Sequence, residues 1–365
     1  MHAKDISASL YRIPSRNVQQ NATHVFREYE YITTRIVFDN GIEGVGWTYT
    51  QGSGGTAILH LINDYLAPAV IRDEITSPKM LRKKVWDYTY AFGLEGLGRL
   101  AYAALDISFY DALARERGLP LFRFLGGGEE ASIRTYRSAI DLNMTTEELC
   151  RDIDNYRKEG YGSFKVKVGR EDFREDLKRL EAVRSVIGPD ALLMVDANRK
   201  WTLKEALSHG KELQKMGVYW LEEPIESDLL DGYAFLSDRL DLMIAGGESL
   251  YNRYEMEEFL KKKCADVSQI DVIRAGGVTE WMRLAGLAAS MNIQVAPHFC
   301  EEIAIHTLCA SDSALFLEHL PGSNLRDSGL LKKQFSISRG IAFPPGDPGH
   351  GVLFDWEKME KFRVR

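Results

Sequence analysis

The chain has 365 residues, 45% of them hydrophobic and 27% charged, with a net charge of −7 and a pI near 5.7. That length exceeds one small core and suits two domains, or one barrel with an addition. No basic stripe marks a nucleic-acid face, the run Lys261-Lys262-Lys263 reads as a solvated helix end, and no window holds the roughly 18 apolar residues of a membrane span.

Alternation predicts strands at residues 6–13, 29–38 and 44–49, with a polar loop at 15–23 and a turn at Asp39-Asn40-Gly41. After the flexible stretch Gln51-Gly52-Ser53-Gly54-Gly55, helices are expected at 56–67, 78–90 and 99–117. Residues 1–125 therefore read as an α+β unit, strands first and helices after. Phe92-Gly93, Gly96 and Gly98 follow no strand, so they predict a turn and not a phosphate loop. From about Ile133 the rhythm becomes strand, helix, strand. Strands are expected at 132–139, 163–168, 192–196, 218–222, 243–248, 267–271, 294–298 and 315–318. Eight such strands over residues 126–340 predict an α/β fold, a (β/α)8-type barrel with an N-terminal α+β capping domain. Residues 341–365, with Pro344-Pro345-Gly346 and Pro348-Gly349, read as an irregular tail that folds back over the cap. Cys150, Cys264, Cys300 and Cys309 form no CxxC pair and read as free thiols. With no apolar signal-peptide core at the N-terminus, a cytoplasmic location is expected.

Three barrel strands end in carboxylates, Asp196, Glu222 and Glu248, at an interval of 26 residues. That is close to the length of a βα repeat, so neighbouring parallel strands bring the three anions side by side. One acidic residue after a strand is often only a helix N-cap. Three at one spacing form a cluster that needs neutralising, and a hard oxygen-ligated cation, Mg²⁺, is expected. The second barrel strand carries Lys165 and Lys167, whose i, i+2 spacing puts both on one face. Pointing inward at the mouth, they face the carboxylates. Mutual repulsion and a nearby Mg²⁺ are expected to depress a lysine pKa and make it a general base. Asp271 and His298 close adjacent strands, and an Asp–His pair fixes the imidazole as a second base. Glu318 closes the eighth strand and is expected to stay protonated, as a donor to a substrate oxygen.

Together, Lys165-x-Lys167, Asp196-Ala197-Asn198, Glu222-Glu223-Pro224, Gly247-Glu248, Asp271, His298 and Glu318 resemble the enolase superfamily, and within it the mandelate racemase subgroup. The resemblance implies that Asp196, Glu222 and Glu248 hold Mg²⁺. It makes Lys167 one base, with Lys165 beside it touching the substrate carboxylate. It makes His298, oriented by Asp271, the other base or acid, and has Asn198 contact a substrate hydroxyl. It also implies a small-molecule carboxylate substrate and a homo-oligomer, with no nucleic-acid or membrane partner. The reaction class is proton abstraction α to a carboxylate through an enediolate. By analogy with subgroup members that act on sugar acids, dehydration of an aldonate or aldarate leads. Cycloisomerisation and racemisation or epimerisation stay open, and the stretch from Thr48 to Gly55 resembles a loop of sugar-lactone and anhydrosugar-acid cycloisomerases. A binding protein without catalysis would be expected to lack a ligand or a base, and none is missing. Substrate choice is expected in cap segments that contain Arg16, Asn17, His24, Tyr49 and Gln51, with Arg16, His24 and Tyr49 as substrate contacts. Residues 15–23 and 51–55 are expected to act as a mobile lid.

Overall fold

The computed structural model describes residues 2–322 and 325–364, with every side chain among them except that of Arg16. The cap opens with an antiparallel meander of β1 (Ala3–Gln20), β2 (Val25–Phe38) and β3 (Glu43–Thr50). The polar loop expected at 15–23 is mostly strand. β1 pairs with β2 up to Pro14↔Glu28, bulges where proline offers no N–H, and resumes at Gln19↔Phe26. Only Asn21 to His24 turn, and the Asn21 Oδ1 closes that turn by accepting from Thr23 N (2.9 Å) and His24 N (2.7 Å).

Helix α1 (Gly55–His60) runs through a π-helical turn, Leu61–Leu66, into α2 (Ala67–Ile71), so the first helix extends past its expected end. The wider π turn leads into Pro68, which lacks an N–H to continue the ladder. α3 (Pro78–Tyr88), α4 (Leu97–Glu116) and the short α5 (Leu121–Phe124) complete the cap helices. α4 is apolar nearly all round because it is buried nearly all round. Gly44 and Gly46 let β3 lie against it: a Cβ at either would stand 2.0 Å from Ser108 O or 2.2 Å from Ala104 O.

The barrel alternates β4 (Ile133–Arg137), α6 (Thr146–Lys158), β5 (Ser163–Lys167), α7 (Phe173–Ile187), β6 (Leu192–Asp196), α8 (Leu203–Lys215), β7 (Val218–Glu222) and α9 (Leu230–Arg239). It continues with β8 (Met243–Gly246), α10 (Arg253–Lys261), β9 (Val267–Ser268), α11 (Val278–Ser290), β10 (Gln294–Val295), α12 (Glu301–Leu308) and β11 (Leu317–His319). The strands are parallel in chain order, β11 pairs with β4, and a bridge between Val295 and Ala314 closes the ring. Side-chain alternation sets the interior. Tyr136, Met194, Trp220, Ala245, Val267, Ala296 and Phe316 form a dry plug, while Phe164, Val166, Leu193, Val195 and Leu221 join the larger core. The eighth strand leads into the short helix α13 (Leu325–Ser328).

The remaining chain forms β12 (Leu331–Lys333), β13 (Ser336–Ser338), β14 (Ile341–Phe343), β15 (Leu353–Phe354) and α14 (Trp356–Met359). It returns to the cap, as its Val364 N donates to Leu10 O (2.9 Å). The fully buried His350 is tied to Val45 O (2.8 Å) and, through its backbone N–H, to Asp111 (2.9 Å). The four cysteines are unpaired, and no described helix is long and apolar enough to cross a membrane.

Cap and barrel are clamped by Asp106 of α4. Its carboxylate accepts from Thr279 N (2.9 Å), Thr279 Oγ1 (2.6 Å) and Tyr102 O–H (3.0 Å), capping the start of α11 from another element. Burial pushes this carboxyl up to about 6. A folded-state pKa above the usual carboxylate range means the fold favours the protonated form. The part of the group's contribution that depends on its proton is therefore full below pH about 4 and is lost as pH rises through about 6, while the hydrogen bonds it accepts persist above that. Asp106→Ala should lower the unfolding free energy by about 3 kcal/mol at pH 7, since it strands buried donors. It should also remove a decline in wild-type stability between pH 4 and 6, both read by urea unfolding across that range. A variant as stable as wild type would place the clamp elsewhere.

Candidate active site

Strand register sets the site. Lys167 lies opposite Asp196, and Asp196 opposite Glu222, so one row at the carboxyl ends of β5, β6 and β7 sets an amine beside two neighbouring carboxylates at the barrel mouth. Two residues below, Met194 and Trp220 fill the plug on the same faces. The expected strand ending at Glu248 stops at Gly246. Gly247, at φ 111°, then turns the backbone and brings Glu248 in beside the other two. One carboxylate oxygen from each of Asp196, Glu222 and Glu248 lies within 4.8 Å of the others, and all three residues are buried.

Both lysines point inward, as the alternation predicted. Lys165 Nζ donates to Glu222 Oε1 (2.6 Å) and pairs with Glu318 Oε1 (2.7 Å), and Lys167 Nζ donates to Asp196. The side chains by themselves do not supply the expected depression of their pKa. Burial pulls both amines down, but Glu222 and Glu318 around Lys165, and Asp196 beside Lys167, hold them above the ordinary lysine range. Burial likewise pushes Glu222 up, reinforced by the adjacent Asp196. Asp196 is held down by the two lysines against its own burial.

Glu318 corrects a second expectation. Burial favours the acid form, but Lys165 and His298 outweigh it and hold the carboxyl below its ordinary range. It stands as a carboxylate that accepts from Phe299 N (2.9 Å), not as a protonated donor.

His298 and Asp271 meet as predicted, Nδ1 to Oδ2 at 2.7 Å. Burial lowers the imidazole, but Glu248 and Asp271 raise it further, and the His298 pKa ends above its usual value. The Asp271 Oδ1 accepts from Ile273 N (2.7 Å) and Arg274 N (2.9 Å). The chain near the strand ends is bent hard. Asn198, Arg199, Glu223, Phe299 and Cys300 all have positive φ, a costly conformation for side-chain-bearing residues and one that clusters at functional sites.

Of the expected substrate contacts, Asn198 and His24 line a cavity of about 340 Å³ together with Lys167, Glu248, His298 and Glu318. Asn198 gives Asp196 both its backbone N–H (2.8 Å) and its side-chain amide (3.2 Å), leaving a buried Oδ1 without a partner among the described residues. Tyr49 does not line that cavity; its hydroxyl is spent on Asp271 Oδ2 (2.7 Å). The Arg16 side chain lies outside the described residues. The stretch 51–55 is less free than a lid would be at its base. Buried Glu30 accepts from Thr50 Oγ1 (2.7 Å) and Gly55 N (2.8 Å).

Arg274 and Glu223 are among the members of the wall that sequence reasoning missed. Arg274 donates to Glu248 Oε1 (3.2 Å) and to its carbonyl (3.1 Å); a cation three residues past a strand-ending aspartate was the available signal. Glu223, buried and accepting from Ser249 Oγ (2.9 Å) and Ser227 Oγ (3.2 Å), is pushed up to about 8, first by burial and then by Glu248. Its adjacency to Glu222 was the only hint.

Three buried carboxylates at this spacing fit Mg²⁺. An octahedral ion with oxygens at about 2.1 Å spans about 4.2 Å across, so a sub-ångström adjustment closes the set. The fold and donor set thus define a metal-assisted barrel enzyme, with two lysines and an Asp–His pair beside the metal ligands. Comparison with known proteins agrees. Residues 8–126 match the mandelate racemase / muconate lactonizing enzyme N-terminal domain, and residues 148–358 the enolase C-terminal domain-like family. The chain belongs to the enolase superfamily, in its mandelate racemase subgroup. The 3,6-anhydro-alpha-L-galactonate cycloisomerase of Streptomyces coelicolor is 29% identical over 360 residues, 98% of this chain and 99% of its own. The arabinonate dehydratase of Saccharolobus solfataricus is 31% identical over 343 residues, 92% of this chain and 91% of its own. The solved L-talarate/galactarate dehydratase from Salmonella typhimurium LT2, liganded with Mg and L-lyxarohydroxamate, has a TM-score of 0.93 at 26% identity. It covers 99% of this chain and 92% of that one.

Mg²⁺ should raise the melting temperature, because it binds the folded chain alone. Glu222→Gln should remove most of that rise by deleting an anionic ligand. An equal rise in both proteins would put the ion elsewhere.

Proposed function

We propose that the protein removes the proton α to the carboxylate of an acid sugar and expels the β-hydroxyl, a dehydration through an enediolate. The observation that supports this most is that Lys167 and the His298–Asp271 pair face one cavity from opposite sides of the carboxylate triad. When bound, Mg²⁺ supplies positive charge at the substrate carboxylate and draws on the Asp196 charge that otherwise keeps Lys167 protonated. Lys167 Nζ takes the α-proton. Lys165, held by Glu222 and Glu318, donates to a carboxylate oxygen as negative charge grows there. His298, its Nδ1 held by Asp271, presents Nε2 and gives a proton to the departing hydroxyl. Asn198 offers its unpartnered Oδ1 to a substrate hydroxyl. Glu318 positions Lys165 and the Phe299 backbone without touching the proton inventory.

The rest of the wall reads the substrate as a monoacid. Arg199 is engaged by Glu223 (3.6 Å) and Glu226 (3.9 Å), and Arg274 by Glu248 (3.2 Å). Glu226 and Asp228 add negative charge on the same lining. A second carboxylate there would be repelled, whereas hydroxyls find donors and acceptors. An aldonate is therefore favoured over an aldarate. Cycloisomerisation of an anhydro or lactone form is the second reading, supported by the cycloisomerase relative that matches nearly end to end. In either case the chain is taken to act as a cytoplasmic homo-oligomer without nucleic-acid or membrane partners, its assembly measurable by sedimentation.

The test is a panel of aldonic acids, their lactones and aldaric acids with Mg²⁺ in deuterated water. A monoacid should exchange its α-proton and give a 2-keto-3-deoxy product. His298→Asn should retain exchange of the α-proton that Lys167 takes while losing product by about 100-fold or more, and Lys167→Ala should lose both. Exchange surviving in Lys167→Ala and absent in His298→Asn would reverse the two roles. A bicyclic or lactone product would select the second reading.

A further inference from the structure

The Asp271 carboxylate has more partners than an Asp–His pair requires. One oxygen takes two backbone N–H groups from the turn after β9, at 2.7 and 2.9 Å. The other, Oδ2, takes His298 Nδ1 at 2.7 Å and, also at 2.7 Å, the hydroxyl of Tyr49. Tyr49 does not belong to the barrel. It lies on β3 of the cap, 222 residues earlier in the chain, and is 4% exposed.

Its placement is stiff. Tyr49 pairs with Tyr31 in the cap sheet, and the next residue, Thr50, is fastened to Glu30 (2.7 Å). Its ring lies 4.5 Å from that of Phe299, which stacks on the His298 imidazole at 5.8 Å. A buried phenol with no other purpose would need some acceptor, and a backbone carbonyl would serve. This phenol reaches the same oxygen that orients the imidazole.

We infer that Tyr49 is a positioning residue for the His298 base, supplied by the cap. It fixes the rotation of the Asp271 carboxylate and shares the oxygen that holds Nδ1, so that Nε2 faces the cavity. It has no comparable contact with Lys167, whose amine is held by Asp196 within the barrel. Docking of the cap therefore completes one of the two bases and leaves the other as the barrel made it. This inference rests on His298 and Lys167 acting as opposed bases.

The experiment uses Tyr49→Phe in the Mg²⁺-loaded full chain, which keeps the ring and deletes only the hydroxyl. Solvent deuterium exchange is followed for both C2 epimers of an exchanging aldonate, one presented to each base. Exchange on the His298 face, identified by its loss in His298→Asn, should fall about 10-fold or more, the scale at which outer partners of working groups act. Exchange on the Lys167 face should fall far less. Equal losses on both faces would make Tyr49 a packing residue and overturn the inference, as would no loss on either. A second arm needs no substrate: the downfield Nδ1–H proton resonance of His298, assigned by its absence in His298→Asn, should move in Tyr49→Phe. An unmoved resonance overturns the inference. If wild type exchanges no acid in the panel, the proton-abstraction reading fails, and the resonance alone decides whether Tyr49 sets the Asp271–His298 bond.

Discussion

Three carboxylates buried within 4.8 Å of one another are the constraint around which this molecule is arranged. Water would solvate them cheaply, but all three are buried, with the apolar plug of Met194, Trp220 and their neighbours beneath them. In that setting each unneutralised charge is costly, so every nearby cation is drawn in. Lys165 spans Glu222 and Glu318, Lys167 takes Asp196, and Arg274 takes Glu248. The directions of the pKa shifts follow from this competition. Burial works against every charged group in the row, and the balance of neighbours decides which group holds its charge.

The cap answers a different need. An open barrel mouth would let solvent screen the row, so something must cover it without filling it. Glycines at 44 and 46 bring β3 onto α4, and Asp106 joins α4 to the first turn of α11. The hairpin tip of β1 and β2 reaches across to the barrel, where Gln20 O accepts from Leu142 N (3.0 Å). The cap thereby contributes His24 and Gln51 to the cavity wall, and Tyr49 to the support of Asp271. The two parts share one site, and neither holds all of it.

Much of this is legible in the sequence. Alternation along Phe164-Lys165-Val166-Lys167 required both amines to share a face, and an apolar helix shell outside left only the interior. The 26-residue interval of the carboxylates reported the length of a βα repeat. What escaped depended on partners that sequence distance hides. Glu318 reads as a protonated donor because a desolvated carboxyl near so much charge favours the acid, and that reading leaves out the hold of Lys165 and His298 on it. Tyr49 looked like a substrate contact because it closes a polar cap strand, while its acceptor lies on another domain. The stretch 15–20 looked like a loop because Pro14 and polar residues read as breakers, yet a bulge absorbs them and pairing resumes at Gln19. Glu223 and Arg274 draw their significance from Glu248, a neighbour only after folding.

The central claim is that the carboxylate row is a metal site whose charge the lysines share. Its most direct measurement is anomalous diffraction from crystals loaded with Mn²⁺ as a Mg²⁺ surrogate. One strong peak is expected between Asp196, Glu222 and Glu248, with oxygens at about 2.1–2.2 Å and the Lys167 amine drawn away from Asp196. A peak at any other acidic cluster, or none in the barrel at saturating Mn²⁺, would contradict it.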